Sequence, residues 1–240
     1  MILYANGCSH TAAAEAVVSA AFAEDDGQAG IDRRPHPVNL AASWCTHLAR
    51  DLGMTLHCDA ESASSNDRII RTTREWIANN PEQLHNTFMV IQWTTWEREE
   101  WHHQGKWYQV NASGVDWVPK ELQDQYRQFV VGIDYKEKTR QAHEKIWQLH
   151  CELTKLEIPH LFFSATSTFS DYLYHHYDWG TCYLEPYTRS GSYNAILQQN
   201  GHVHTKWYHF DAKGHCFWAQ YLLQYIKQNN LVTTNALPTD

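Results

Sequence analysis

Residues 1–6 (MILYAN) form a short apolar run that stops at Gly7, as a buried strand does before a turn. Residues 24–37 are polar and carry Gly27, Gly30, Pro35 and Pro37, which predicts a loop. Leu40, Trp44, Leu48 and Leu52 recur at helical spacing, so a helix is expected over 40–52 with Gly53 as its C-cap. A second strand over 54–58 and a second helix over 66–77 follow, the helix having Ile69, Ile70, Thr73 and Ile77 along one side. Residues 87–93 (TFMVIQW) form an unbroken apolar run, as in a central strand covered on both faces. Residues 135–156 place Ile146, Leu149, Leu153 and Leu156 on one helical face; Pro159 follows, and 160–164 (HLFFS) predict a fourth strand. The last helix spans 212–227 and buries Phe217, Ala219, Tyr221, Leu222 and Tyr225.

Strands alternating with helices imply an α/β fold, with a mostly parallel sheet and helices on both faces. There is no internal repeat and no low-complexity linker, so residues 1–240 read as a single domain. Residues 94–119 break the pattern. They scatter Trp96, Trp101, Trp107, Tyr108 and Trp117 among polar residues, and excursions of this length are often functional. In open parallel sheets the chemistry lies outside the carboxyl ends of the strands.

Composition narrows the function. Lys and Arg number 19 against 27 Asp and Glu, a formal charge of −8, which argues against a nucleic-acid partner. With 43% hydrophobic and 13% aromatic residues the chain can form a core. No apolar run approaches the roughly 18 residues of a membrane span. The Ala-rich segment 12–23 contains Glu15, with no Lys or Arg ahead of it, so it does not read as a signal peptide. A soluble, cytoplasmic protein with no membrane partner is the expectation. The six cysteines, at 8, 45, 58, 151, 182 and 216, include no C-x-x-C pair and are expected as reduced thiols.

The candidate chemistry sits at the two ends of the chain. Ser9 follows the first strand in Gly7-Cys8-Ser9-His10-Thr11, where a following helix would offer its amides to an anion. Near the other end, His209-Phe210-Asp211-Ala212-Lys213-Gly214-His215 runs into the last helix. With Ser62-Ala63-Ser64-Ser65-Asn66-Asp67-Arg68-Ile69 after the second strand and Trp93-Thr94 to Arg98 and Glu100 after the third, these segments occur in the order of the SGNH, or GDSL-type, hydrolases. The chain resembles divergent members of that family found in bacteriophage genomes.

The resemblance implies a three-layer α/β/α sandwich, flavodoxin-like, with a parallel sheet of about five strands. It implies a serine esterase that acts without a cofactor on a small or carbohydrate-borne ester. Ser9 would be the nucleophile and His209 the base. The oxyanion hole would be formed by Ser9, Ala63 and Thr94, and Asn66, Trp96, Arg98 and Trp101 would contact substrate. By the same register Asp211 caps the last helix. Three departures stand out: Cys8 replaces the usual Asp, Ala63 the oxyanion Gly, and Thr94 the Asn. A fourth is larger, because the acid expected three residues before the histidine is Lys206, so a distant group must orient His209. Two alternatives follow: an SGNH-fold binding or structural protein that has lost the reaction, or a metal protein built on His202, His204, His209, Asp211 and His215.

Overall fold

A computed structural model describes residues 1–23, 33–112, 114, 118–171 and 175–232. Most of the loop expected over 24–37, and Trp117, lie outside the described residues. Four parallel strands, β1 (Ile2–Asn6), β2 (Thr55–Cys58), β3 (Thr87–Trp93) and β6 (His160–Ser164), form one sheet in the order β2-β1-β3-β6. The sequence suggested about five strands. Among the described residues the sheet continues beyond β6 as a single parallel bridge between Phe162 and Tyr183.

Side-chain alternation assigns the sheet residues to two cores. Leu3, Ala5, Phe88, Val90, Leu161 and Phe163 face helices α2 (Trp44–Asp51), α6 (Tyr193–Gln199) and α7 (Ala212–Gln228). Tyr4, Met89, Ile91, Trp93 and Phe162 face α3 (Asn66–Asn79) and α5 (Tyr135–Lys155). Every residue of β3 is buried, as its unbroken apolar run requires.

The helix expected over 40–52 is divided. Helix α1 (Pro37–Ala41) ends early, and Ser43 then caps α2 by accepting from the Thr46 amide. The break frees Asn39, wholly buried, to hold the segment before it: its carboxamide accepts from the Val17 and Val18 amides and donates to the Val18 and Ala20 carbonyls. Gly53 follows α2 at φ +65°, the left-handed residue expected there.

Within 94–119 lies an antiparallel hairpin, β4 (Glu99–His103) and β5 (Lys106–Val110), which the aromatic-rich sequence had concealed. It docks on α3 through a two-pronged ion pair between Arg71 and Glu100, with Glu100 almost fully buried, and through Gln109, whose side-chain Oε1 accepts from the Ser65 amide. Helix α4 (Gln123–Val131) closes a small core of Val110, Val118 and Tyr126 beneath it.

Candidate active site

Strand β1 delivers Ser9 through a turn that only glycine permits at position 7. A Cβ on Gly7 would stand 2.3 Å from Thr11 Oγ1 and 3.0 Å from Gln92. The residue is required for close approach rather than for an unusual φ. No helix follows. Residues 8–16 make successive turns, with the amides of Thr11 and Ala12 on the Cys8 carbonyl and that of Ala14 on the Ser9 carbonyl. Gln92 ties this turn to β3: its oxygen accepts from Thr11 Oγ1 at 2.8 Å, and its nitrogen lies 3.3 Å from Cys8 Sγ.

The turn ends on the group that sequence reasoning did not find. Glu15 Oε2 lies 2.8 Å from His209 Nδ1 and 3.1 Å from Thr205 Oγ1, across 194 positions of chain. A carboxylate only accepts, so Nδ1 carries the hydrogen, and in the neutral imidazole the lone pair is left on Nε2. Both side chains are largely buried, Glu15 more so than His209. The backbone around the pair is strained: Ala13, Glu15 and Tyr208 all take left-handed φ, at 53°, 65° and 66°. Each costs about 1 kcal/mol or more for a residue with a Cβ, and such strain gathers at functional sites. Helix α7 joins the same turn, since the Ala212 amide donates to the Ala16 carbonyl. The one feature that could have drawn attention to Glu15 is that it is a lone carboxylate in an alanine-rich run.

Ser9 is nearly buried, and its hydroxyl lies 3.9 Å from Cys8 Sγ. Among the described residues no hydrogen bond joins it to His209. His10, next to Ser9 in the chain, lies against His209: its ring meets that of His209 edge-on at 5.3 Å and that of Tyr193 at 5.3 Å. Burial, and then the nearby His209, hold His10 well below the usual histidine range, so it stays neutral. Asp211 accepts from the Gly214 amide at 3.0 Å and caps α7, as expected.

The second loop brings Ala63 to the same edge. The Glu61 amide donates to the Gly7 carbonyl, and the buried Glu61 carboxylate pairs with Arg68 at 2.9 Å. Arg68 also donates to the Asp59 carbonyl, so one guanidinium holds both ends of the loop. Ala63 has φ +69°, where glycine would be free of strain. Ser62 Oγ and Ser64 Oγ are buried with no hydrogen-bond partner among the described residues.

The remaining candidates divide between structural and open positions. The Asn66 carboxamide accepts from the Thr94 amide at 2.9 Å and donates to the Thr94 and Thr95 carbonyls, so it holds the end of β3. Arg98 donates to the Ser64 carbonyl and to Thr94 Oγ1, joining the two loops. Trp96 stacks on Phe169 at 4.6 Å and lines a cavity of about 590 Å³, with Thr139, Ser167 and Ser170 also on its wall. Trp101 packs instead on Phe129 in the core under the hairpin, its indole N–H on Glu99.

The histidine-rich segment before α7 is not arranged for a metal. His202 and His204 lie outside any strand and pack on different rings, Phe217 and Phe210. His215 Nδ1 accepts from the Trp44 amide, while His209 and Asp211 are committed as described. No helix among the described residues is long and apolar enough to cross a membrane. No protein-family model matches the chain, and no curated protein matches it.

Proposed function

We propose that the protein is a serine ester hydrolase of the SGNH type, a three-layer α/β/α domain in which Ser9, His209 and Glu15 act as nucleophile, base and orienting acid. The observation that carries this reading is the 2.8 Å contact between Glu15 and His209 Nδ1. It supplies from a distance the carboxylate whose place in the chain Lys206 occupies. The sheet order β2-β1-β3-β6, with both loops at the carboxyl ends, supports the same reading.

In this mechanism Ser9 Oγ turns away from Cys8 and attacks the ester carbonyl while His209 Nε2 takes its proton. Glu15 holds the tautomer and stabilises the imidazolium. The Ser9 and Ala63 amides face the oxyanion. Thr94 Oγ1 already accepts from Arg98, so its own hydrogen is free to donate there. His209 then protonates the departing alcohol, and water, activated by the same imidazole, hydrolyses the acyl-serine. The cavity beside Trp96 is lined by hydroxyls and by Lys136, Asp171 and Arg189 but by neither Ser9 nor His209, so it bears on the substrate only if a bound ester extends that far.

A fluorophosphonate probe tests the assignment. Labelling at Ser9 is expected, and it is lost in Ser9→Ala and His209→Ala. The present orientation of the Ser9 hydroxyl favours a second reading, a binding protein on the same fold that has lost the reaction. A folded wild-type chain that the probe leaves unmodified would establish that reading instead.

A further inference from the structure

A second cluster lies at the opposite end of the strands. His160 is the first residue of β6, His150 projects from α5, and Cys182 sits in the segment that bridges to β6. One donor atom from each of the three lies within 4.8 Å of the others, the one such group of histidines, cysteines and carboxylates among the described residues. We propose that His150, His160 and Cys182 bind a zinc ion, independently of any chemistry at Ser9.

The donor set is already oriented. His160 Nδ1 lies 2.8 Å from the Ile158 carbonyl, which fixes its hydrogen there and leaves a lone pair on Nε2. A carbonyl on the far nitrogen is the outer-shell partner that ligating histidines have. That lone pair faces His150 Nδ1 at 2.8 Å. Without metal one proton lies between the rings. With zinc, His150 moves its hydrogen to Nε2 and both facing nitrogens ligate. At about 2.1 Å from a tetrahedral ion, two nitrogens stand roughly 3.4 Å apart, so the rings need part only slightly. Cys182 is held by backbone bonds on both sides: its carbonyl accepts from the Phe162 amide at 2.7 Å, and its amide donates to the Trp179 carbonyl.

Burial acts on the three donors in opposite senses. Burial drives the His160 imidazole down to about 4 and lowers His150, so both are neutral and free to ligate near pH 7. Burial raises the Cys182 thiol, so it binds by releasing its proton to solvent as the zinc–sulfur bond forms. Partial exposure of Cys182 gives the ion a way in. The set is two imidazoles and one thiolate, with a fourth position left for water. It suits zinc over magnesium or calcium, which prefer all-oxygen shells.

The test is titration of the chelator-washed full chain with Zn²⁺ against a chromophoric zinc chelator, repeated with Co²⁺. One ion per chain is expected, with about one proton released. Co²⁺ should give a near-ultraviolet sulfur-to-metal charge-transfer band. Cys182→Ser should abolish the band and weaken zinc binding by more than the roughly 10–100-fold that losing an outer-shell partner costs. Cys151→Ser, at an exposed thiol on α5, should change neither. His160→Asn should match Cys182→Ser; if it misfolds, Cys182→Ser decides alone. No stoichiometric binding, or binding and a band that survive Cys182→Ser, would overturn the site.

Discussion

The two ends of the sheet each centre on histidine, and they prepare it for opposite uses. At the carboxyl end His209 has a carboxylate on Nδ1 and a neutral His10 against its ring. A carboxylate on Nδ1 fixes the tautomer that leaves the Nε2 lone pair open, as the proposed general base requires. At the amino end His160 has a carbonyl on Nδ1, the His150 imidazole on Nε2 and Phe162 against its ring. A dipole without a charge leaves desolvation in control, and the ring stays neutral, as a metal ligand must. The residue type is the same; the atom on the far nitrogen separates the two roles.

The largest effect that would break the comparison is at Glu15. Glu15→Gln keeps the shape but lets an amide N–H face Nδ1, which favours the wrong tautomer. The rate on a short-chain acyl ester should fall by about 10³-fold or more, with the melting temperature little changed. An unaltered rate would remove Glu15 from the mechanism.

His215 sharpens the contrast, because it lies near His209 yet has a backbone amide, that of Trp44, rather than a carboxylate on its Nδ1. Burial pushes it down to about 3, against about 6.5 in an unfolded chain. As pH falls below about 6.5 the unfolded chain takes up a proton that the folded one refuses until near 3. Its contribution is therefore intact above about 6.5 and declines by about 1.4 kcal/mol per pH unit between those limits. Urea unfolding from pH 7 to 4 should show this slope, and His215→Gln should reduce it by one proton's worth. An identical slope in the variant would mean that His215 titrates normally.

Asp211 is the smallest test. Two residues from His209, it serves the helix end rather than the imidazole. Asp211→Ala should cost about 1 kcal/mol of stability and leave the ester rate within a factor of two. A collapse of rate at constant stability would make Asp211, not Glu15, the acid.

Much of this was legible along the chain because it depends on near neighbours. Apolar runs predicted β1, β2, β3 and β6, and 3.6-residue periodicity predicted helices α3, α5 and α7, to within a few residues. Asp211 could be recognised as a cap because a cap is read within a single turn of helix. The hairpin was missed because β4 and β5 are mostly half-exposed and follow no simple alternation. Helix α6 is short, and the use that the break before Ser43 serves, Asn39 holding residues 17–20, lies about twenty positions away in the chain.

Ser9 and His209 could be named from order and spacing, since each follows or precedes an element that sequence periodicity reveals. Which strands are neighbours, and which groups meet across their ends, depends on contacts between residues far apart in the chain. Glu15 reaches His209 only because helix α7 docks beside the turn after β1, through the Ala212 amide and the Ala16 carbonyl. His150 and His160 are ten positions apart, yet Cys182 joins them only where its segment lies along β6. Local periodicity follows from the geometry of the backbone itself. A partner for a lone carboxylate or a buried imidazole follows from how the layers pack, and no short stretch of sequence contains that information.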